Sequence, residues 1–177
     1  DTLYLAYWDD ALWGIDNTGL LWKSTAIGVE ANNAQLPLPN GSVTDLFVAR
    51  NAADTLVLFA ATTVGIFAHD NANTKWLFTE LALPYHPDNG KGSTRWRDSI
   101  YVPSGLAAYR YIQGANSAVV TVIGPDRDDG LPSGQRGVIR QLVGTHNDLL
   151  AITDGTTAPG ALTSFPTRGA STHHGVV

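Results

Sequence analysis

Short apolar runs alternate with polar clusters along this chain, and the runs are too short for helices. In Val43–Arg50, Leu46 and Val48 fall on one face of a strand. Asn51-Ala52-Ala53-Asp54 supplies turn chemistry, and Thr55–Ala61 reads as an apolar strand. Thr62-Thr63-Val64-Gly65 turns the chain into Ile66-Phe67-Ala68, and Asp70-Asn71-Ala72-Asn73 turns it again before Lys75–Leu83. The pattern predicts four successive antiparallel strands joined by tight turns.

Other stretches repeat part of this unit. Strands are predicted at Thr2–Trp8, Ala11–Ile15 and Leu20–Ser24, then at Ile100–Pro103, Ala107–Ile112 and Ala118–Ile123, and finally at Val138–Val143 and Leu149–Thr153. After Asp154-Gly155 the alternation dissolves into Gly, Ala, Pro, Ser and Thr. Four similar strand openings begin at Asp1, Asp54, Asp98 and Asp148, spaced by 53, 44 and 50 residues. Strand-rich repeats of about 40–50 residues are the signature of β-propeller blades. The expected fold is therefore all-β, a partial β-propeller of about three to four four-stranded blades over 1–27, 43–83, 94–123 and 137–177. Gly28–Ser42, Pro84–Ser93 and Gly124–Gly137 are rich in Asn, Pro, Gly and Asp and read as loops between blades. The chain opens and closes inside a blade, so it is read as a piece of a longer polypeptide or one share of a ring that partner chains complete.

Composition agrees with strands and turns. There are 18 glycines, nine prolines and only two glutamates, Glu30 and Glu80, so helix formers are scarce. Charged residues are 15% and net charge is −5 with no basic block, so no electrostatic footprint for nucleic acid exists. No apolar run approaches the length of a membrane span. With no cysteine, disulfides and thiolate chemistry are excluded.

Two turns share a form: Asp16-Asn17-Thr18-Gly19-Leu20-Leu21-Trp22 and Asp70-Asn71-Ala72-Asn73-Thr74-Lys75-Trp76. An Asn or Asp side chain is expected to hold each turn by hydrogen bonds to backbone N–H groups, with Asn17 and Asn71 as the motif positions. Gly19 and Asn73 are expected to take the left-handed position, and Trp22 and Trp76 to bury a ring against the blade. This motif resembles the Asp-box of β-propellers such as sialidases and sortilin-type receptors. Ile15 and His69 stand where that family carries a hydroxyl residue, and Asn73 stands for its glycine. The resemblance implies a folding device lying away from any active site.

Candidate chemistry is sparse. Asp126, Asp128 and Asp129 offer oxygens at the spacing of a calcium loop, without the bidentate Glu and flanking helices of an EF-hand. His173 and His174 are adjacent, which makes a poor ligand pair on a strand. His69, His86 and His146 fall in expected turns. Arg50, Arg95, Arg97, Arg110, Arg136 and Arg140 are available for a sialidase-like carboxylate site, but the carboxylate pair of a retaining glycosidase has no visible counterpart. Trp8 and Trp96 are candidate contacts for a ligand such as a glycan, and packing within the blade is the favoured alternative.

The expected role is a non-catalytic structural or recognition module of a larger assembly, binding other protein subunits through rim loops. Degenerate repeats with low charge resemble tail and host-attachment proteins of bacteriophages, which implies a virion-associated or extracellular location. The competing reading is a sialidase-like propeller that binds or cleaves a surface glycan.

Overall fold

The computed structural model describes residues 2–37, 42–51, 53–97, 99–113, 118–123, 138–154 and 159–165. The chain is all-β, and every regular element among these residues is a strand. The strands form antiparallel meanders in sequence order, the arrangement of propeller blades. The chain divides into two compact units, residues 1–90 and 91–177.

The first unit holds two four-stranded sheets. Sheet 1 is β1 (Leu3–Trp8), β2 (Ala11–Asp16), β3 (Leu20–Thr25) and β4 (Gly28–Gln35). Sheet 2 is β5 (Val43–Arg50), β6 (Leu56–Thr62), β7 (Gly65–Asp70) and β8 (Lys75–Ala82). Strand β4 fills much of the stretch expected to be a loop. Its Asn and Gly content suggested a connection, but ladder pairing with β3 from Thr25–Gly28 to Leu20–Gln35 holds it extended, with a register irregularity between Leu20 and Leu21. Asp9 and Asp10 join β1 to β2 with φ of 50° and 56°. Two successive left-handed residues give the tight turn that matches strand twist in a hairpin.

Sheets 1 and 2 share one core. Ala11, Trp13, Ile15 and Leu21 of sheet 1 pack with Val43, Leu46, Leu58, Ala60, Phe67 and Trp76 of sheet 2, and Trp8 borders them. Two indole N–H groups cross the junction in opposite directions. Trp8 Nε1 donates to the Leu56 carbonyl at 3.2 Å, and Trp76 Nε1 donates to the Ala34 carbonyl at 3.1 Å. A buried indole must place its N–H on an acceptor, so each ring is fixed in orientation as well as depth. On the far face of sheet 2, Phe47 stacks on Phe59 with centroids 5.4 Å apart. Asn89 ties the connection after β8 to the same sheet by donating to the carbonyls of Thr63 and Pro84, both at 2.7 Å.

The second unit repeats the scheme. Sheet 3 runs β12 (Ala118–Ile123), β11 (Ala107–Gln113), β10 (Ser99–Ser104), β9 (Thr94–Trp96). Sheet 4 runs β13 (Ile139–Gly144), β14 (Leu149–Asp154), β15 (Pro159–Phe165). Strand β15 lies where the sequence pattern dissolves; it is held by ladder pairing with β14. Pro103 is tolerated inside β10 because β9 pairs only as far as Tyr101, so no ladder continues past it on that edge. Trp96, Tyr101, Ala108, Ile139, Leu142, Leu149 and Ala151 form the core. Here too an indole crosses between sheets: Trp96 Nε1 donates to the Thr145 carbonyl at 2.8 Å.

The crossing indoles carry a graded expectation. Trp76→Phe keeps most of the ring and orphans the Ala34 carbonyl, so it should cost about 1–3 kcal/mol. Trp76→Ala should cost about 3–5 kcal/mol. Urea unfolding of the two variants beside the parent measures both, and equal losses would show that the N–H contributes nothing.

Candidate functional site

The two similar turns are organised by the aspartate one place ahead of the expected asparagine. Asp16 Oδ1 accepts the Thr18 N–H at 2.9 Å, the Leu20 N–H at 3.0 Å and the Thr18 hydroxyl at 2.6 Å. Asp70 Oδ1 accepts the Asn73 N–H at 3.3 Å, and its Oδ2 accepts the Asn73 side-chain amide at 2.8 Å. Asn17 and Asn71 are exposed at the tips. Burial raises the Asp16 pKa, but the Thr18 hydroxyl and the N–H groups of Leu20, Thr18 and Gly19 lower it further, so the net shift is downward. Asp70 is also lowered, first by the Asn73 side chain, then, against slight desolvation, by Asn73 N–H, the Lys75 charge and Ala72 N–H.

The turns differ in length, and this decides what their tryptophans do. In the first, Gly19 is left-handed (φ 87°) and Ile15 pairs with Leu21. In the second, Asn73 does not take that position. Thr74 does (φ 50°), the turn is one residue longer, and His69 pairs with Trp76. A shift of one residue in a ladder sends every side chain to the opposite face. Trp76 therefore enters the core, whereas Trp22, opposite Gly14, lies half-buried on the outer face of sheet 1.

His69 lies within strand β7 and not in a turn. It is 5% exposed and surrounded by three indoles, Trp8, Trp13 and Trp76, with ring centroids at 5.7, 5.6 and 5.1 Å. The indole N–H of each is already committed: Trp13 donates to the Trp8 carbonyl at 2.9 Å, and the other two cross between sheets. Neither imidazole nitrogen has a hydrogen-bond partner. Desolvation pushes the His69 pKa down, outweighing the Asp70 charge that pulls it up. Sequence reasoning missed this cluster. Its one trace was His69 standing where the motif carries a hydroxyl residue.

Trp8 and Trp96, the candidate ligand contacts, both pack against neighbouring rings. Trp8 is half-buried against Trp13 and His69, and Trp96 is buried against Tyr101 under the Arg97 guanidinium, 4.5 Å from its ring centre. Three arginines make contacts within their own sheets. Arg50 donates to the Asp54 carbonyl at 2.6 Å, Arg110 Nε donates to Ser99 Oγ at 2.9 Å, and Arg140 pairs with Asp154 on the adjoining strand. His86 Nδ1 accepts the Asp88 N–H at 3.1 Å, and His146 is exposed in the β13–β14 turn. Arg136, the Asp126, Asp128 and Asp129 group, and His173 and His174 lie outside the described residues. Among the described residues, no group of three His, Asp or Glu side chains could hold a metal ion.

Among the described residues, one sheet face gathers exposed apolar side chains. The face of sheet 1 turned away from sheet 2 carries Leu3, Leu5, Tyr7, Leu12, Gly14, Trp22 and Val29, and its leucines and Val29 are 46–70% exposed. A cleft of about 380 Å³ lies in it. The hydroxyl in that cleft, Ser24 Oγ, already accepts the Leu12 N–H at 2.9 Å.

No family model matches this chain, and no curated protein matches it. Among solved structures it is similar to a chain described as the extracellular domain of a hybrid two-component system from B. thetaiotaomicron. The TM-score is 0.67 and the identity 16%, over 98% of this chain and 22% of that one. This chain thus spans about a fifth of that protein's length, and the likeness supports the all-β fold alone.

Two titrations should separate in pH. His69 takes up its proton more readily unfolded than folded, so stability is full above about pH 6.5 and falls as pH drops below it. The lowered carboxylates Asp16 and Asp70 lose their contribution only below about pH 4, as they protonate. Thermal melts from pH 8 to 3 should show both slopes, and His69→Phe should flatten the upper one only. Asp16→Ala should cost about 0.5–2 kcal/mol and Asn17→Ala less than about 0.5 kcal/mol, by urea unfolding.

Proposed function

We propose that this chain is a non-catalytic β-propeller module of a larger extracellular or virion-associated assembly, and that it works by binding protein. The observation that carries this reading is the outer face of sheet 1. It is broad and apolar, and the cleft in it is lined mainly by Leu, Val, Gly and Trp side chains with one hydroxyl, Ser24. Contiguous apolar surface of this kind marks a contact with protein, membrane or an apolar ligand, and we take protein as its partner. A small-molecule site would add a few free polar groups to fix orientation. The similarity to an extracellular domain is in keeping with display outside a cell.

The turns at Asp16 and Asp70 support the likeness to Asp-box hairpins, with the aspartate and not the asparagine as the bonding group. In this reading they serve folding. Placement in a phage tail or attachment protein is the finer form of the proposal, and it rests on the degenerate repeats and low charge. The packing of Trp8 and Trp96, with each indole N–H on a backbone carbonyl, favours this reading over the glycan-active alternative.

Electron cryomicroscopy of the particle or polypeptide that contains this chain tests the reading. The expected image has protein seated on Leu3, Leu5 and Val29. A solvent-open face, together with turnover of fluorogenic sialosides by the purified chain, would overturn it.

A further inference from the structure

We infer that the outer face of sheet 1 pairs with the same face of a second copy of this chain. The inference rests on the protein-binding reading above and names the partner.

The first argument is continuity with a junction already built. Strands β1 and β2 dock one face on sheet 2 through Ala6, Trp8, Trp13 and Ile15. Their alternate residues, Leu3, Leu5, Tyr7 and Leu12, have the chemistry of a second such junction. What fits an apolar sheet face is another sheet face, stacked about 10 Å away.

The second argument is charge. In a two-fold pair each group near the axis meets its own copy, so any charge on the face would repel itself. Lys23 and Glu30, paired across β3 and β4, belong to the opposite face, with Lys23 lying 5.1 Å from the centre of the Trp13 ring. Asp16, at the end of the outer face, is engaged by its own turn. Asp16 keeps its charge there, but its place at the strand end sets it away from the centre of the face.

The third is relief. Leu3 and Leu5 lean over Gly14 so closely that a Cβ there would meet them at 3.1–3.2 Å. Beside them opens the cleft bounded by Trp22 and Val29, while Tyr7 stands 68% exposed. A projection and a recess on one surface are what isologous pairing uses. A six-residue, four-stranded face offers about 400 Å² per partner, below the roughly 800 Å² of stable interfaces. The pair should accordingly dissociate on dilution.

Sedimentation equilibrium of the 177-residue chain from about 1 to 200 μM tests this, with a dissociation constant in the micromolar range expected. Leu5→Lys and Val29→Lys sit at exposed positions and should each weaken the dimer at least tenfold with unchanged urea midpoints. Leu77→Lys, exposed on sheet 2, should leave it intact. Monomer at every concentration, growth beyond dimer, or a dimer indifferent to Leu5→Lys and Val29→Lys would each overturn the self-pairing. Monomer alone would leave the protein-binding reading standing, whereas sialoside turnover would strike that reading and not the pairing.

Discussion

A tryptophan can be buried only if its N–H finds an acceptor, and in this protein the acceptor is repeatedly a backbone carbonyl of the neighbouring sheet. Trp8 reaches from sheet 1 to Leu56, Trp76 reaches back from sheet 2 to Ala34, and Trp96 reaches from sheet 3 to Thr145. Apolar burial is non-directional, so stacked sheets held by it alone could slide. An indole that must satisfy one hydrogen bond while burying a large ring removes that freedom. The same ring supplies both the energy of the junction and its registration.

That constraint explains the odd position of His69. Three indoles converge on it, but their donors are committed and they present only ring surface. The imidazole is left neutral, packed as an aromatic and without a polar partner. It occupies the place that Ile15 holds in sheet 1, directly before the turn aspartate, so it is a core position in which a titratable ring has been accommodated. The same constraint ties Trp8 and Trp96 to backbone carbonyls of the neighbouring sheet.

Sheet 1 has one face used in this way and one face open. On the open side Trp22 makes no such crossing, because the three-residue turn before it puts it opposite Gly14 and away from the core. The asymmetry between the two faces is the feature on which the proposed contact with protein rests.

Much of the fold was legible in the chain. Alternating apolar runs separated by Asn, Asp and Gly fixed the all-β class, and Val43–Arg50 was read with its observed bounds, because side-chain alternation and turn chemistry are local properties. Strand β4 was not legible, since its Gly, Asn and Gln residues have low strand preference and only the β3 ladder holds them extended. Strand β15 likewise depends on β14. The shared turn motif was visible, but the choice between Asp16 and Asn17 as its bonding group required backbone geometry. That Trp22 and Trp76 part to opposite faces depends on one added turn residue, whose effect is expressed only through ladder register. The burial of His69, Trp8 and Trp96 was beyond sequence for the same reason: it is a property of two sheets meeting, and no local pattern records which carbonyl of a distant strand a side chain will find.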